Sequence, residues 1–340
     1  MTLNDINKKE LSVIIPVYNS FHWLQRCLDS VCAQPIAEME IICVDDASSD
    51  ASSRILHARM EQDNRIQVVT LGNNRGEATA RNIGMAAASG NYIGFVDSDD
   101  AVEPDFYALL LRQTAAGSPD IVKGSRMRIE ENGTELFEEL NGAIQKDILH
   151  FSWQFSTAIY KRDFLATHGI TFPDGVINSA DAAFLYKIIS VAPRIKFENS
   201  ACYLYFRREA SMNPHTLSYE QAVSSLDGWS DVINYINNHC IERNMYIRIF
   251  SNIILLLFQN IYRVSNESRS QFFDDASQKY IQMYKLCRYP NEVNIQIKFI
   301  YDILCSKSRE YFKKNIFNAS TVQDVFLAVV RTIHYVKSGK

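Results

Sequence analysis

The sequence has no C-x-x-C pair among its seven cysteines, which stand at positions 27, 32, 43, 202, 240, 287 and 305. An odd and scattered set excludes a disulfide scaffold and a structural zinc site of ordinary spacing, and it fits a reducing compartment. No apolar run is long. The longest, residues 253–258, falls far short of the about 20 residues that a membrane-spanning helix needs. The start, MTLNDINKKELSVIIPVYN, has no apolar core behind a basic stretch, so it does not read as a signal peptide. Neither charge predominates: 35 Lys and Arg face 39 Asp and Glu, a net of -4, which argues against a general nucleic-acid binder. A charged fraction of 22% beside 47% hydrophobic residues excludes wholesale disorder. What remains is a cytoplasmic globular chain of 340 residues, enough for about two domains.

Short apolar runs at 11–16, 41–44, 66–71 and 92–96 are rich in Val and Ile, as buried parallel strands are. Between them Phe21, Leu24, Leu28 and Val31 recur at helical spacing behind Asn19 and Ser20, and Asp50 stands where a cap is expected. Residues 78–89 are rich in small side chains and close on Gly90, which reads as a glycine just past a helix end. Strand–helix–strand repeated three times predicts an α/β, doubly wound, mostly parallel sheet. Pro104 reads as a first-turn proline of a helix running to about residue 116. Residues 120–140 read as strands around Glu131-Asn132-Gly133, and residues 141–156 as a loop or short helix. Residues 195–206 read as a strand. Beyond Tyr219 helical periodicity dominates, with a strong break only at Pro290. The expected division is therefore 1–218, with a nucleotide-binding half over about 10–110 and an acceptor half over about 111–218, and then a helical domain over 219–340.

In an open α/β sheet, ligands bind where loops leave the carboxyl ends of the strands. Three runs here end in polar clusters: Pro16-Val17-Tyr18-Asn19, Asp45-Asp46-Ala47-Ser48-Ser49-Asp50 and Asp97-Ser98-Asp99-Asp100. Carboxylates gathered at neighbouring strand ends repel unless a cation or a hydrogen-bonding ligand is present. In an extended segment Asp97 and Asp99 point the same way and can share a hard divalent ion, Mn²⁺ or Mg²⁺. The plainer alternative is an acidic cluster favoured by the dipole of the helix that follows.

The segments Ser12-Val13-Ile14-Ile15-Pro16-Val17-Tyr18-Asn19, Cys27-Leu28-Asp29-Ser30-Val31 and Val44-Asp45-Asp46-Ala47-Ser48-Ser49-Asp50 resemble the family 2 glycosyltransferases in order and spacing. So do Asn74-Arg75-Gly76, Ala80-Arg81-Asn82-Ile83-Gly84 and the stretch from Gly90 to Asp100. The resemblance implies a GT-A fold with a helical C-terminal extension, and metal-dependent, inverting transfer of a sugar from a nucleoside-diphosphate donor, commonly UDP-linked. It implies that Pro16, Val17, Tyr18 and Asp45 hold the nucleobase, that Asn19 and Asp46 belong to the nucleotide-sugar site, that Arg81 packs on or bonds the base, and that backbone at Gly76 approaches the donor. Asp97 and Ser98 would contact the donor, Asp97 also through the metal, and Asp99 would bind the metal directly. Arg207, Arg208 and Ser211, after the aromatic run Tyr203-Leu204-Tyr205-Phe206, would screen the departing diphosphate. The general base falls on Asp181 in Asn178-Ser179-Ala180-Asp181, although Ala180 replaces the acid usual before it. A helix cap is the structural alternative for Asp181.

That departure keeps a non-catalytic sugar-nucleotide-binding or assembly module in view. A sugar nucleotidyltransferase is disfavoured, because no Gly-rich phosphate loop follows the first strand. The acceptor implied is a glycan or lipid-linked hydroxyl in surface polysaccharide synthesis, lipopolysaccharide or capsule. Residues 241–340 hold 15 Lys and Arg against 8 Asp and Glu, so the near-neutral total conceals +7 there and -11 in residues 1–240. Basic helices with interleaved aromatics can lie on an anionic bilayer, here the inner face of the cytoplasmic membrane. Packing on the catalytic domain, or a homo-oligomer, is the alternative.

Overall fold

The computed structural model describes residues 9–115, 117–138, 154–191, 193–207, 217–257, 260–261, 263–293, 295–305, 309–317 and 331. By its internal contacts the chain divides into two compact units, Met1–Gly175 with Ala192–Ser211, and Val176–Val191 with Met212–Lys340.

The first unit is built on one mixed, nine-stranded sheet. Strands β1 (Leu11–Val17), β2 (Met39–Asp45), β3 (Ile66–Thr70) and β4 (Tyr92–Phe95) run parallel in the order β3-β2-β1-β4, joined through helices α1 (Phe21–Cys32), α2 (Ser52–Gln62) and α3 (Glu77–Ala87). Every residue of β1 and β2 is buried, which is why their sequences are mostly apolar rather than alternating, with the buried Ser12 donating to Glu40 at 2.6 Å. On α1 the buried residues are Leu24, Cys27, Leu28 and Val31, one stripe at the spacing read from the sequence. Each large apolar side chain so buried contributes roughly 1.5–3 kcal/mol. Pro16 is tolerated in a central strand because β1–β4 pairing ends at Ile14↔Phe95, before its missing N–H would be needed.

The second half of the sheet departs from the parallel expectation. The chain continues through β5 (Ala101–Val102), α4 (Phe106–Arg112), β6 (Ile121–Ile129), β7 (Glu135–Glu138), a 3-10 turn (Phe155–Thr157), β8 (Ala158–Lys161), α5 (Arg162–Thr167) and β9 (Ile195–Phe206). Strand β8 is antiparallel to both β4 and β6, while β9 is parallel to β6 and antiparallel to β5. Two local expectations also change. Gly90 is not a helix-ending glycine, since α3 closes on an extended Ala88; a Cβ at Gly90 would stand 2.6 Å from the backbone nitrogen of Ser12. Pro104 precedes the Asp105 cap of α4 instead of lying in its first turn, and the helix stops at Arg112. Of the weakly patterned stretch 141–156, residues 141–153 lie outside the described residues.

The second unit is helical: α6 (Ala180–Ser190), α7 (Tyr219–Asn238), α8 (Arg243–Leu256), α9 (Asn266–Lys285), α10 (Ile295–Leu304) and α11 (Arg309–Ile316). Pro290 falls in the break between α9 and α10, as its lack of an N–H requires. The start of α7 carries a full capping box, Ser218 with Gln221. Tyr186 of α6 meets Trp229 of α7 edge to face, and Lys187 pairs with Asp231, so α6 belongs by contacts to this unit although it precedes position 218 in sequence. Among the described residues no helix is long and apolar enough to cross a membrane.

Candidate active site

The carboxyl ends of β1, β2 and β4 lie side by side, so the three polar clusters separated in sequence by about thirty to fifty residues become neighbours. Side chains fasten them. Asn19, in the left-handed region at φ 49°, donates its N–H to Ser48 Oγ at 3.1 Å and accepts from Ser49 N at 2.8 Å. Ser20 Oγ and Ser98 Oγ lie 2.6 Å apart, joining the end of β1 to the Asp97–Asp100 loop. Phe21 N donates to Asp50 Oδ2, and Ser52 N to Asp50 Oδ1, so Asp50 ties two helix starts together.

The predicted donor residues divide by exposure. Pro16 and Val17 are buried and shape the strand end, whereas Tyr18 is 51% exposed and presents a ring. Asp45 is buried, with Oδ1 accepting from Ser48 N at 3.0 Å in a turn that passes through a positive φ at Ala47. Both oxygens of Asp46 are occupied by backbone, Oδ1 by Arg75 N at 2.7 Å and Oδ2 by Gly76 N at 2.8 Å, so this carboxylate shapes the entry to α3. At Gly76 φ is +86° and ψ is 155°, a conformation essentially reserved to glycine, and a Cβ there would meet no protein atom within 4 Å, so within the protein it is backbone geometry that demands the residue.

Arg81 differs most from expectation. Its side chain turns inward and bonds Asp97 Oδ1 at 2.8 Å and Glu77 Oε1 at 2.6 Å. Asp97 keeps Oδ2 without a protein partner among the described residues, in a side chain 26% exposed, and Asp99 is also part-exposed. Ser98 is nearly buried against Ser20.

Sequence reasoning placed Asp100 in the acidic cluster and Tyr203 in the aromatic run without giving either a role, and passed over Arg26. The Asp100 carboxylate accepts from Tyr203 Oη at 2.8 Å and from Phe206 N at 3.0 Å, fastening the end of β9 to the acidic loop. Burial first, and then the charge of Asp97, push the Asp100 carboxyl well above the ordinary range. Arg26 donates to the Asp99 carbonyl at 2.5 Å while its guanidinium lies 3.4 Å from the Phe206 ring centroid. Only the adjacency of Asp100 to the acidic pair could have pointed to it; the other two lie distant in sequence. Arg207 is exposed and pairs with Glu130 at 3.7 Å, while Arg208 and Ser211 lie outside the described residues.

Among the described residues no group of three or more His, Cys, Asp or Glu side chains forms a closed metal cage. Two part-exposed carboxylates, one with a free oxygen, suit instead a Mg²⁺- or Mn²⁺-type ion that completes its shell with phosphate and water. Asp181 lies in the other unit, in the first turn of α6. It is not the cap: that place belongs to Ser179, a non-glycine residue at φ 73°.

A model of glycosyl transferase family 2 matches residues 12–180. The glycosyltransferase GlyG of Streptococcus pneumoniae is 32% identical over 221 residues, covering 59% of this chain and 72% of that relative. The chain belongs to glycosyl transferase family 2. The first three curated relatives it matches are covered over 72%, 62% and 40% of their own lengths. In fold, this family 2 chain is similar to the crystal structure of S. aureus TarS 1-349 in complex with UDP-GlcNAc, with a TM-score of 0.73 at 20% identity over 91% of this chain and 90% of that one. It is also similar to the mannosyltransferase of Pyrobaculum calidifontis in complex with GDP-Man and Mn²⁺, with a TM-score of 0.55 at 15% identity over 96% and 88%. The first unit thus has the GT-A architecture of family 2, a mixed, mostly parallel sheet flanked by helices, followed by C-terminal helices.

Proposed function

We propose that this glycosyltransferase moves a sugar from a UDP-linked donor to a hydroxyl of a glycan or lipid-linked acceptor in surface polysaccharide synthesis, with inversion at the anomeric carbon. The observation that carries the reading is the fastening of three strand ends, with the Tyr18 ring exposed and Asp97 Oδ2 left for a ligand beside the part-exposed Asp99. The UDP-GlcNAc in the TarS structure and the Mn²⁺ in the mannosyltransferase structure support the choice of donor class and ion. Asp97 and Asp99 would hold a divalent cation, which supplies charge neutralisation for the departing diphosphate.

In the proposed step the acceptor oxygen bonds to the anomeric carbon as the bond to the phosphate oxygen breaks. That electron pair leaves with UDP. Asp181 takes the proton of the acceptor hydroxyl as general base, an assignment that rests on the family motif. Ala180 stands where the motif usually carries an acid, so Asp181 has no carboxylate next to it in the chain.

The test is UDP release from a panel of UDP-sugars with Mn²⁺ and candidate acceptors. Asp99→Ala is expected to abolish release and weaken donor binding, and Asp181→Asn to abolish release while leaving donor binding intact. Normal turnover by both variants would overturn the assignment. The replacement at Ala180 favours one second reading, a donor-binding module without transfer; calorimetric binding of UDP with no release under any acceptor would establish it.

A further inference from the structure

Arg81 and Asn82 are consecutive on α3, and each holds one side of a single arrangement built around buried aromatic rings. The Arg81 guanidinium bonds Asp97 Oδ1 at 2.8 Å and lies 4.4 Å from the Phe155 ring centroid and 5.3 Å from that of Phe172. Those two rings meet edge on at 5.3 Å, and each meets Phe95, two residues before Asp97, at 5.5 Å. Asn82 closes a two-way bond with the Phe172 backbone, accepting from its N–H at 2.9 Å and donating to its carbonyl at 2.9 Å. Its amide also donates to Asp174 Oδ1 at 3.1 Å, an oxygen that accepts from Thr79 Oγ1 at 3.3 Å. One turn of helix therefore secures the cation that grips Asp97 and the aromatic floor on which that cation rests.

We propose that Arg81 and Asn82 are positioning residues for Asp97: Arg81 fixes the carboxylate through Oδ1 so that Oδ2 faces the donor cation, Asn82 holds the floor, and neither side chain touches the nucleotide. The inference rests on the reading of Asp97 as a cation ligand. Its physical basis is that a metal-binding carboxylate held in one orientation loses little freedom on binding, and that partners of this outer kind commonly change metal affinity about 10- to 100-fold. A cation over the face of an aromatic ring adds attraction that strengthens when water is excluded, and Arg81 is 2% exposed.

Calorimetric titration of the full chain with UDP, in EDTA and in Mn²⁺, separates positioning from nucleotide contact. Arg81→Lys keeps a charge but loses the planar fork, and it is expected to cut the Mn²⁺-dependent gain in UDP affinity by roughly 10-fold. The metal-free affinity should stay within about 2-fold, because the nucleotide is not touched. Asn82→Ala should act in the same direction by a smaller factor, and Phe155→Leu, which removes the ring face and keeps both polar residues, serves where either variant unfolds. Equal losses with and without Mn²⁺ would overturn the proposal in favour of a nucleotide contact. Hydrogen exchange of the 95–100 segment is read in parallel. It should quicken in Asn82→Ala although Asn82 has no hydrogen bond to that segment, and unchanged exchange would overturn the proposal. If the wild-type chain binds no UDP in either buffer, the donor reading fails, and the exchange result alone supports or overturns the coupling of Asn82 to Asp97.

Discussion

Lys123 is wholly buried on β6, donating to the Gln154 carbonyl at 2.9 Å and to Thr157 Oγ1 at 2.6 Å. Burial, and secondarily the charge of Arg126, bring its ammonium down to about 7. A neutral amine still has two protons for these two acceptors. The unfolded chain keeps the proton to about 10.5, so between about 7 and 10.5 it binds more protons than the folded one, and stability rises with pH across that window. Urea denaturation should therefore show Lys123→Met at its greatest advantage near pH 6–7, shrinking toward about pH 10. Gly76→Ala tests the glycine geometry: at φ +86° and ψ 155° the substitution is expected to cost about 1–3 kcal/mol, read as a lowered melting temperature. At this scale the sequence was legible where a residue's chemistry is local. Asp99 and Tyr18 are as exposed as a ligand contact needs, but the inward turn of Arg81 and the anchoring role of Asp46 depend on partners that spacing does not display.

Helices and strands of the first unit follow from apolar pattern because each buries a face against the sheet, and α3 shows how close that packing is. A Cβ at Gly84 would lie 2.4 Å from Ile14 Cγ2, and a β-branched side chain in a central strand has little room to yield. Gly84→Ala is expected to destabilise by about 1–3 kcal/mol, measured by denaturant unfolding. In the helical unit Ser218→Ala removes the capping oxygen that accepts from Gln221 N, at an expected cost of about 1 kcal/mol. Strands β5 and β8 escaped sequence reading for a shared reason. With two and four residues respectively, they are too short for a period, and they exist as strands because β9, β4 and β6 offer them paired edges.

For the molecule as a whole, residues 1–240 carry -11 and residues 241–340 carry +7, and several of the bases in the second stretch are held in ion pairs. Arg243 pairs with Glu292, Lys279 with Asp227, and Arg309 and Lys313 both with Asp274. With these cations already matched, co-sedimentation with anionic vesicles at about 0.15 M salt is expected to be weak; strong, salt-sensitive retention would show that the remaining bases form a binding face. The sequence by itself determined the α/β start, the helical end, the family and the strand ends that carry the polar clusters, because buried periodicity and turn chemistry are written in neighbouring residues. Only the tertiary structure decided that β8 enters antiparallel, that α6 with Asp181 packs among the C-terminal helices, and that Arg81 grips Asp97 over Phe155. Each of these joins residues far apart in the chain through pairing edges, ring faces and ion pairs, and such partners are chosen by packing rather than by order.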